Sequence, residues 1–303
     1  MTRKNDFIIT TDRPALRKPH MVCGISGWMD GGEVATGSIW YMVNKLAADE
    51  FAEIPINRFH IFQIAGQTIF RPYIKLEDGL LKEHQFPRNR FFYWVNPSTD
   101  HDLILFIGTE PNLRWQEYAD TIVKVAREFD VARIYSMGGV LDKIPHTKEP
   151  GVSCSCSSPR LKKEMDKYGV TFSNYEGPGS FTTTLLHTCQ HKRIPMVSLT
   201  ARVTYYPEFN IVVPRNPKTI RALVGRLNHL LGLNIDLSDL NRETDDFEAK
   251  LDFMVSQNND FKAYVKDLEK EFVEISYDEP LGISGDEAVR IAEAFLRKGR
   301  KKD

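Results

Sequence analysis

The stretch L-I-L-F-I-G-T-E-P-N-L-R-W, from Leu103 to Trp115, decides the fold class. Its first five residues are all apolar, which is typical of a strand buried on both faces inside a parallel sheet. Gly108, Glu110 and Pro111 then make a small turn that carries an acid, and a helix signal follows. A strand, a short turn and a helix in this order predict one unit of an open α/β sheet.

Two other stretches repeat this design. One runs from Val22 to Glu33, V-C-G-I-S-G-W-M-D-G-G-E, and the other from Ile134 to Thr147, I-Y-S-M-G-G-V-L-D-K-I-P-H-T. A fourth strand-to-helix loop, Y-E-G-P-G-S, begins at Tyr175. Ligands of open α/β sheets bind where the carboxyl ends of the strands meet, so we expect the four loops to line one crevice.

The candidate ligand-binding residues are those of the four loops that either free the backbone or carry a charge. They are Gly27, Asp30, Glu33, Gly108, Glu110, Arg114, Gly138, Gly139, Asp142, His146, Glu176 and Gly177.

Two interpretations remain open for the segment from Gly27 to Glu33. A helix that starts after glycines offers free N–H groups to an anion. The acids Asp30 and Glu33 oppose a phosphate there, and they favour helix capping and a tight turn instead. The spacing matches neither the Walker loop nor the dinucleotide fingerprint.

The charged residues of the other loops also allow alternatives. Arg114 is able to clamp a carboxylate or phosphate, or to pair with Glu110 or Asp142 and join neighbouring loops. His146 is open to three roles, as general base, metal ligand or loop-ordering partner, and its place between prolines argues against a packed core role.

No known catalytic or metal motif is present. Cys154 and Cys156 form C-S-C, which is the wrong spacing for a zinc or redox pair, and surface thiols in a loop are expected. His187 and His191 lack the intervening Glu of the zinc-protease motif, and no G-x-S-x-G is found. The catalytic residues are therefore unknown, and neither a metal nor a cofactor is expected.

Composition excludes several classes of protein. The chain has 303 residues, 42% of them apolar, with 40 Lys plus Arg against 41 Asp plus Glu, a net charge of −1. Such a balance does not favour nucleic acid or an anionic membrane. No apolar stretch approaches the roughly 20 residues that span a bilayer, and no signal core follows the N-terminus. We expect a cytoplasmic protein.

The hydrophobic pattern predicts two regions, 1–235 and 236–303. In the first, strands alternate with helices; Asn57–Ile64 and Gln67–Tyr73 are predicted to pair as a hairpin, and a long loop runs from Gly138 to Pro159. In the second, strand patterns are absent and amphipathic helices form an extension whose thin apolar stripes must pack on the core or on another subunit. The last predicted helix contains Ala288–Leu296 after Ser284.

Four stretches of this sequence resemble the PAC2 family, which is named for a proteasome assembly chaperone. They are G-W-M-D-G-G-E-V-A-T-G, F-I-G-T-E-P-N-L-R-W, M-G-G-V-L-D-K-I-P-H-T and Y-E-G-P-G. The resemblance extends in order over about Val22 to Leu240. The stretch Ile283–Arg297 is also similar to the ending of the longer bacterial members.

The resemblance implies a three-layer α/β/α sandwich similar to nucleoside phosphorylases, with a C-terminal helical extension. It implies a homo-oligomer, with a trimer favoured, and a protein partner, because eukaryotic relatives act as chaperones in proteasome assembly. Some archaeal relatives dock through a C-terminal hydrophobic-Tyr-any motif, whereas this chain ends Lys301-Lys302-Asp303, so proteasome docking is not expected. The function expected is binding or assembly; the alternative is an enzyme that uses the phosphorylase-like crevice on a small polar or anionic metabolite.

Overall fold

The protein is described by a computed structural model over residues 7–9, 11, 13–63, 71–209, 211 and 213–273. The strands of this part are β1 (Ile8–Ile9), β2 (His20–Ser26), β3 (Asp49–Ile54), β4 (Tyr73–Glu77), β5 (Leu80–Gln85), β6 (Asn89–Trp94), β7 (Leu103–Thr109), β8 (Arg133–Asp142), β9 (Val152–Cys156), β10 (Thr171–Phe172) and β11 (Met196–Thr204). Its helices are α1 (Val34–Leu46), α2 (Trp115–Glu128), α3 (Pro159–Met165), α4 (Phe181–His191), α5 (Pro217–Leu231), α6 (Ser238–Ser256) and α7 (Asn259–Glu271).

Nine of the described strands form one mixed sheet in the order β1-β3-β6-β7-β2-β8-β11-β9-β10. The neighbours β7, β2, β8 and β11 are parallel, while β6 and β9 join them in antiparallel fashion. Every residue of Leu103–Thr109 is buried, as the uninterrupted apolar run predicts. The α/β class is confirmed, with a sheet that is mixed and not purely parallel.

The strands send alternate side chains into two separate cores. Val22 and Leu105 point to one face, where α1 and α5 pack. Cys23 and Phe106 point to the other, where α2 and α4 pack. Burial of one large apolar side chain contributes about 1.5–3 kcal/mol, so both cores hold the parallel strands at fixed positions.

The predicted hairpin of Asn57–Ile64 with Gln67–Tyr73 is wrong. Residues Ile56–Arg58 form a 3₁₀ turn, because Pro55 fixes its own φ and cannot donate to a strand ladder. Residues 64–70 lie outside the described part. The hairpin of this region is instead β4 with β5, which form a two-stranded sheet of their own.

The predicted loop from Gly138 to Pro159 is also wrong, at its start and in its second half. β8 continues to Asp142, and β9 lies antiparallel to β11. The glycines are required by close packing and not by a turn: a Cβ on Gly139 would stand 2.6 Å from the carbonyl oxygen of Gly31. The stretch V-S-C-S-C alternates in burial, with Val152 and Cys154 buried, as a strand does. This alternation indicates a strand within a stretch that its glycines and prolines made look like a loop.

The C-terminal helices pack on the α/β core. Leu240 of α6 enters the core that α1 and α5 share, and Leu251 and Val255 are buried. Phe261 of α7 packs on Tyr206 in a smaller third cluster. Met254, which lies at helical spacing from Leu251 and next to Val255, is exposed. The predicted helix at Ala288–Leu296, which includes Phe295 and Leu296, and its cap Ser284 lie outside the described residues. Among the described helices, none has the length and apolarity needed to cross a bilayer.

Candidate functional site

The carboxyl ends of β7, β2 and β8 lie side by side at one edge of the sheet. Ser26 is paired with Thr109 at the ends of β2 and β7, and an isolated bridge joins Asp30 to Gly139 of β8. The backbone N–H of Gly139 donates to the carbonyl of Met29 at 2.7 Å. Three of the four predicted loops therefore meet here, with Gly138 and Gly139 lying in a strand and not in a loop.

Glu110 connects the fourth loop to this edge. Its carboxylate accepts hydrogen bonds from the backbone N–H of Trp28 at 2.9 Å and from that of Phe181 at 2.8 Å. Phe181 is the first residue of α4, and Ser180 before it makes no side-chain cap bond. A carboxylate at this position satisfies an orphan N–H and complements the helix dipole. Glu110 is thus a capping residue that the loop after β7 supplies to α4.

Gly27 allows the Glu110 carboxylate to lie where it does. Its φ is +132°, and a Cβ at this position would stand 2.7 Å from both Cβ and Oε2 of Glu110. Gly108 has a comparable constraint, because an added Cβ would meet the ring of Phe106 and the hydroxyl of Tyr118 at 2.8 Å. Both glycines serve close packing at the edge.

Asp30 is partly buried and holds the start of α1. One carboxylate oxygen accepts from the backbone N–H of Thr36 at 3.0 Å, and the other accepts from its hydroxyl at 2.7 Å. Burial raises the pKa of Asp30 to about 6, although the bonds to Thr36 oppose the rise. Asp30 therefore titrates near neutral pH. Its contacts are those of a helix-capping residue, which is one of the two interpretations given for this segment.

Two helices of this edge begin after a non-glycine residue in the left-handed region. Glu33 precedes α1 with φ 50°, and Arg114 precedes α2 with φ 56°. This conformation costs an L-residue roughly 1–2 kcal/mol. The side chain of Glu33 is exposed, at the rim of a groove between α1 and α6 with a volume of about 500 Å³. Aromatic and charged side chains of both helices line this groove, among them Trp40, Tyr41 and Asp239.

Arg114 does not join neighbouring loops. Its guanidinium is 55% exposed and lies 3.8 Å from Glu117, one turn along its own helix. Asp142 pairs with Arg202 of β11 at 2.6 Å. The predicted ion pair of Arg114 with Glu110 or Asp142 is wrong, because Glu110 turns to backbone donors and Asp142 to the adjacent strand.

His146 is buried, with 1% of its surface exposed, so the expectation against a packed role is wrong. Its backbone N–H donates to the Tyr206 hydroxyl at 2.8 Å, and that hydroxyl lies 2.8 Å from Nδ1. Nε2 lies 3.1 Å from a carboxylate oxygen of Asp252 on α6. This network favours the tautomer in which Nε2 carries the proton. Burial lowers the pKa of His146, although Asp252 opposes that effect.

The carbonyl of His146 makes a further contact with α5. It accepts from Nζ of Lys218 at 2.6 Å, and the same buried ammonium pairs with Glu248 of α6. His146 therefore joins its loop to α5 and α6. Of its three predicted roles, these contacts correspond to that of a loop-ordering partner.

The fourth loop contributes two exposed candidates. Glu176 and Gly177 both lie at the surface. Gly177 has φ +157°, and a Cβ there would collide with the hydroxyl of Tyr175, which donates to the carbonyl of Pro178 at 3.1 Å. The ring of Tyr175 thus folds over its own loop.

Large apolar side chains at this edge are the feature that the sequence reasoning missed. The residues that we name the edge surface are Trp28, Leu113, Val140, Leu141 and Tyr175, and all are exposed. Each follows or ends a strand of the edge, or precedes α4. The signal was present in the sequence, since polar residues are usual in such loops and these five positions are apolar.

Metal-binding groups do not cluster in the described part of the chain, where no set of three His, Cys, Asp or Glu side chains could hold an ion. Cys154 and Cys156 lie on β9 with their sulfur atoms 3.5 Å apart, and Cys154 is buried. The expectation of loop thiols at the surface is therefore wrong.

Several solved structures are similar to this fold. A PAC2 family protein from Streptomyces avermitilis is 29% identical, with a TM-score of 0.71 over 82% of this chain and 99% of that one. A proteasome-assembly chaperone homologue from Mycobacterium tuberculosis is 27% identical, with a TM-score of 0.71 over 81% and 99%. The archaeal proteasome activator PbaB of Pyrococcus furiosus is similar in fold alone, at 20% identity and a TM-score of 0.61 over 83% and 99%.

The sequence comparisons agree with the structural ones. Among curated proteins none matches the chain. The PAC2 family matches residues 24–255, which is more than half of the sequence and includes every strand end of the candidate site from β2 onward. This protein belongs to the PAC2 family.

Proposed function

We propose that this protein is a chaperone-like binding or assembly protein that acts on a protein partner without catalysis. The edge surface is the observation that carries the proposal. Trp28 and Tyr175 are 67% and 70% exposed, at an edge whose loops are held by hydrogen bonds. Exposed apolar side chains gathered at a rigid edge are typical of protein-binding surfaces, and aromatic residues are enriched at their centres.

The arrangement of the predicted chemical residues supports the same conclusion. An enzyme needs a nucleophile, base or anion clamp that converge on one reacting atom. Here Glu110 caps a helix, Arg114 points to solvent and Asp142 pairs with its neighbour strand. His146 is buried beneath α6. Glu110, Asp142 and His146 are thus each committed to a separate structural contact, and Arg114 lies apart from them.

Relatives support a protein partner over a small molecule. Similar structures include a proteasome-assembly chaperone homologue and an archaeal proteasome activator. We propose a cytoplasmic homo-oligomer, for which the trimer implied by the family resemblance stays a prediction, as does the division at residue 235. Docking on the proteasome through a C-terminal motif is not part of the proposal.

The proposal is tested by comparing two serine substitutions of equally exposed aromatic residues. Trp28→Ser alters the edge surface, and Phe253→Ser alters α6, where Phe253 is also 67% exposed. Cross-linking and quantitative affinity purification from the native cells should recover a partner with wild type and Phe253→Ser, and lose it with Trp28→Ser. An identical set of partners for all three proteins would contradict the proposal.

The alternative function is an enzyme acting on a small polar or anionic metabolite at the phosphorylase-like crevice. Two buried hydroxyls of the described residues, Ser136 Oγ and that of Tyr118, have no hydrogen-bond partner, and a catalytic role is one explanation for such groups. A metabolite at about 100 times its Kd stabilises a protein by about 2.7 kcal/mol. A thermal-shift screen of metabolites would therefore find this ligand, and a ligand that is consumed during incubation would favour the enzyme.

A further inference from the structure

Cys154 and Cys156 share one face of β9, because residues two apart in a strand point to the same side. The redox motif C-x-x-C has a three-residue offset, which brings side chains together in a helix. In a strand, the two-residue offset of C-S-C does so instead. The two sulfur atoms are 3.5 Å apart and are thus in contact, on the face of the sheet that α3 helps to cover.

The two thiols differ in their access to solvent. Cys154 is buried, with 2% of its surface exposed, whereas Cys156 is partly exposed. Cys156 is the last residue of β9, and the chain passes through Ser157 and Ser158 into α3. A small solute that reaches this end of β9 therefore meets Cys156 first, with the second sulfur in contact behind it.

Two cations act on Cys156 from neighbouring elements. Arg133 begins β8 and pairs with Glu164 of α3 at 2.6 Å. Nζ of Lys162, also on α3, lies 4.9 Å from the ring centroid of Phe172, which is the residue of β10 that pairs with Cys154. Reactive cysteines lie in partly exposed surroundings of positive charge such as these, because the charge stabilises the thiolate.

The hydrogen bond between the two sulfur atoms assigns them different roles. Donation from the Cys154 thiol lowers the pKa of Cys156, and the charges of Arg133 and Lys162 lower it further, whereas burial and Glu164 oppose. The same bond, together with burial, raises the pKa of Cys154. The thiolate is the nucleophile, so Cys156 is the attacking sulfur and Cys154 the thiol that resolves.

We propose that Cys154 and Cys156 are a redox-active pair that a hydroperoxide oxidises to an intramolecular disulfide and a dithiol reduces again. The inference does not depend on the partner proposed above. The backbone permits the bond, since two residues along a strand span about 6.4–6.8 Å between Cα atoms, at the upper end of the range of about 4.4–6.8 Å found in disulfides.

The oxidation takes two steps. The Cys156 thiolate attacks one oxygen of the peroxide, the O–O bond breaks, and the alkoxide takes a proton from solvent, which leaves a sulfenic acid on Cys156. Cys154 then attacks the sulfenic sulfur, the S–O bond breaks, and the hydroxide leaves as water with the Cys154 proton. Two thiols and one hydroperoxide thus give one disulfide, one alcohol and one water.

Cys23 and Cys189 are internal controls for this chemistry. Both are buried in the core that α2 and α4 cover, and burial raises the pKa of each thiol. A buried thiol in apolar surroundings is inert, so we expect both to stay reduced.

The first experiment treats the reduced full chain with excess hydrogen peroxide, then unfolds, alkylates and digests it with trypsin. Cys154 and Cys156 fall in one tryptic peptide, Glu149–Arg160, and the two control cysteines fall in two others. Mass spectrometry should show that this peptide loses two hydrogens and takes up no alkylating agent. Dithiothreitol should restore both thiols, and the control cysteines should be alkylated throughout.

Serine substitutions separate the two roles. In Cys154→Ser, oxidation should stop at a sulfenic acid that dimedone traps on Cys156. In Cys156→Ser, the buried Cys154 should react at least about 10-fold more slowly than Cys156 does. Lys162→Gln should slow the reaction about twofold or more, whereas Lys163→Gln, its exposed neighbour on α3, should not. Circular dichroism checks that each variant folds.

Several outcomes would overturn the redox pair. One is a peptide Glu149–Arg160 that keeps two free thiols, and another is an oxidised product that dithiothreitol does not reverse. A reaction of Cys156 no faster than that of free glutathione at pH 7 would remove the role of the charges and with it the proposal. Oxidation of Cys23 and Cys189 at the same rate would assign the reaction to opening of the whole fold.

Discussion

Asp30 makes folding stability depend on pH in a direction opposite to that of most paired carboxylates. Burial raises the pKa of Asp30 from its ordinary value of 3.8 to about 6. The folded protein therefore binds this proton more tightly than the unfolded chain. The resulting stabilisation is complete below pH 3.8 and is lost as the pH rises through 6. Two pKa units correspond to about 3 kcal/mol, or about 2 kcal/mol after allowance for residual contact with water.

Asp30→Asn removes this titration and keeps an amide oxygen that accepts from the Thr36 N–H. We expect the free energy of unfolding of the variant, minus that of wild type, to be about 2–3 kcal/mol more positive at pH 7.5 than at pH 4. Urea unfolding of both proteins across this range measures the difference. Subtraction cancels the contributions of groups that the two proteins share, including His20, whose pKa burial lowers to about 4.

A second variant tests the cause. Thr36→Val removes the hydroxyl that donates to Asp30 at 2.7 Å, a bond that favours the carboxylate and lowers its pKa. The pH dependence should therefore move to higher pH in Thr36→Val. A difference between Asp30→Asn and wild type that is constant within about 0.5 kcal/mol from pH 4 to 7.5 would refute the reasoning, since linkage requires a slope wherever the folded and unfolded pKa values differ.

Three further substitutions have expected effects on urea unfolding at pH 7.5. Glu110→Ala should cost about 2 kcal/mol, because the N–H of α4 loses a charged acceptor; an effect no larger than that of the exposed Glu117→Ala would exclude the capping role. Tyr206→Phe should cost about 1–3 kcal/mol and speed hydrogen exchange at His146, whose buried N–H loses its acceptor; unchanged exchange would contradict that bond. Arg114→Ala should cost less than about 1 kcal/mol, because its ion pair is exposed; a loss of 3 kcal/mol would reveal a missing contact.

The meeting of several loops at one edge of the sheet was predictable, because it depends on a local sequence pattern that the chain repeats. Uninterrupted apolar runs such as Leu103–Ile107 allow few positions other than a buried parallel strand, and a short turn to a helix places the loop at the carboxyl end. The meeting of the loops near Gly27 and Gly108 follows from that topology alone.

The strands around the glycine pair of β8 were not predictable in the same way. A glycine pair such as Gly138-Gly139 is equally consistent with a turn and with a strand that another backbone approaches closely. Here the second reason applies, because the carbonyl oxygen of Gly31 lies against Gly139. Strand β3 was missed for a related reason, since D-E-F-A-E-I mixes acids into a half-buried edge of the sheet.

The contacts of Glu110, Asp142 and His146 could not be predicted, because their partners lie far away in sequence. Asp142 pairs with a residue 60 positions later, and His146 lies beside one 106 positions later. Sequence spacing restricts partners only within an element. The positions of these residues in the fold could thus be predicted in part from the sequence, whereas their ion pairs and hydrogen bonds could not.

The left-handed residues before α1 and α2 reverse the usual ranking of two small amino acids. In most of the chain, glycine is less stable than alanine because its backbone loses more freedom on folding. At Arg114, with φ 56°, alanine keeps a strained Cβ and glycine does not. Glycine there should exceed alanine in stability by about 1 kcal/mol, and the same ranking is expected at Glu33, with φ 50°. At both helix starts, therefore, a side chain occupies a backbone conformation that is less strained in glycine. Comparing the Gly and Ala variants at each position separates the cost of the backbone conformation from the contribution of the native side chain to partner binding.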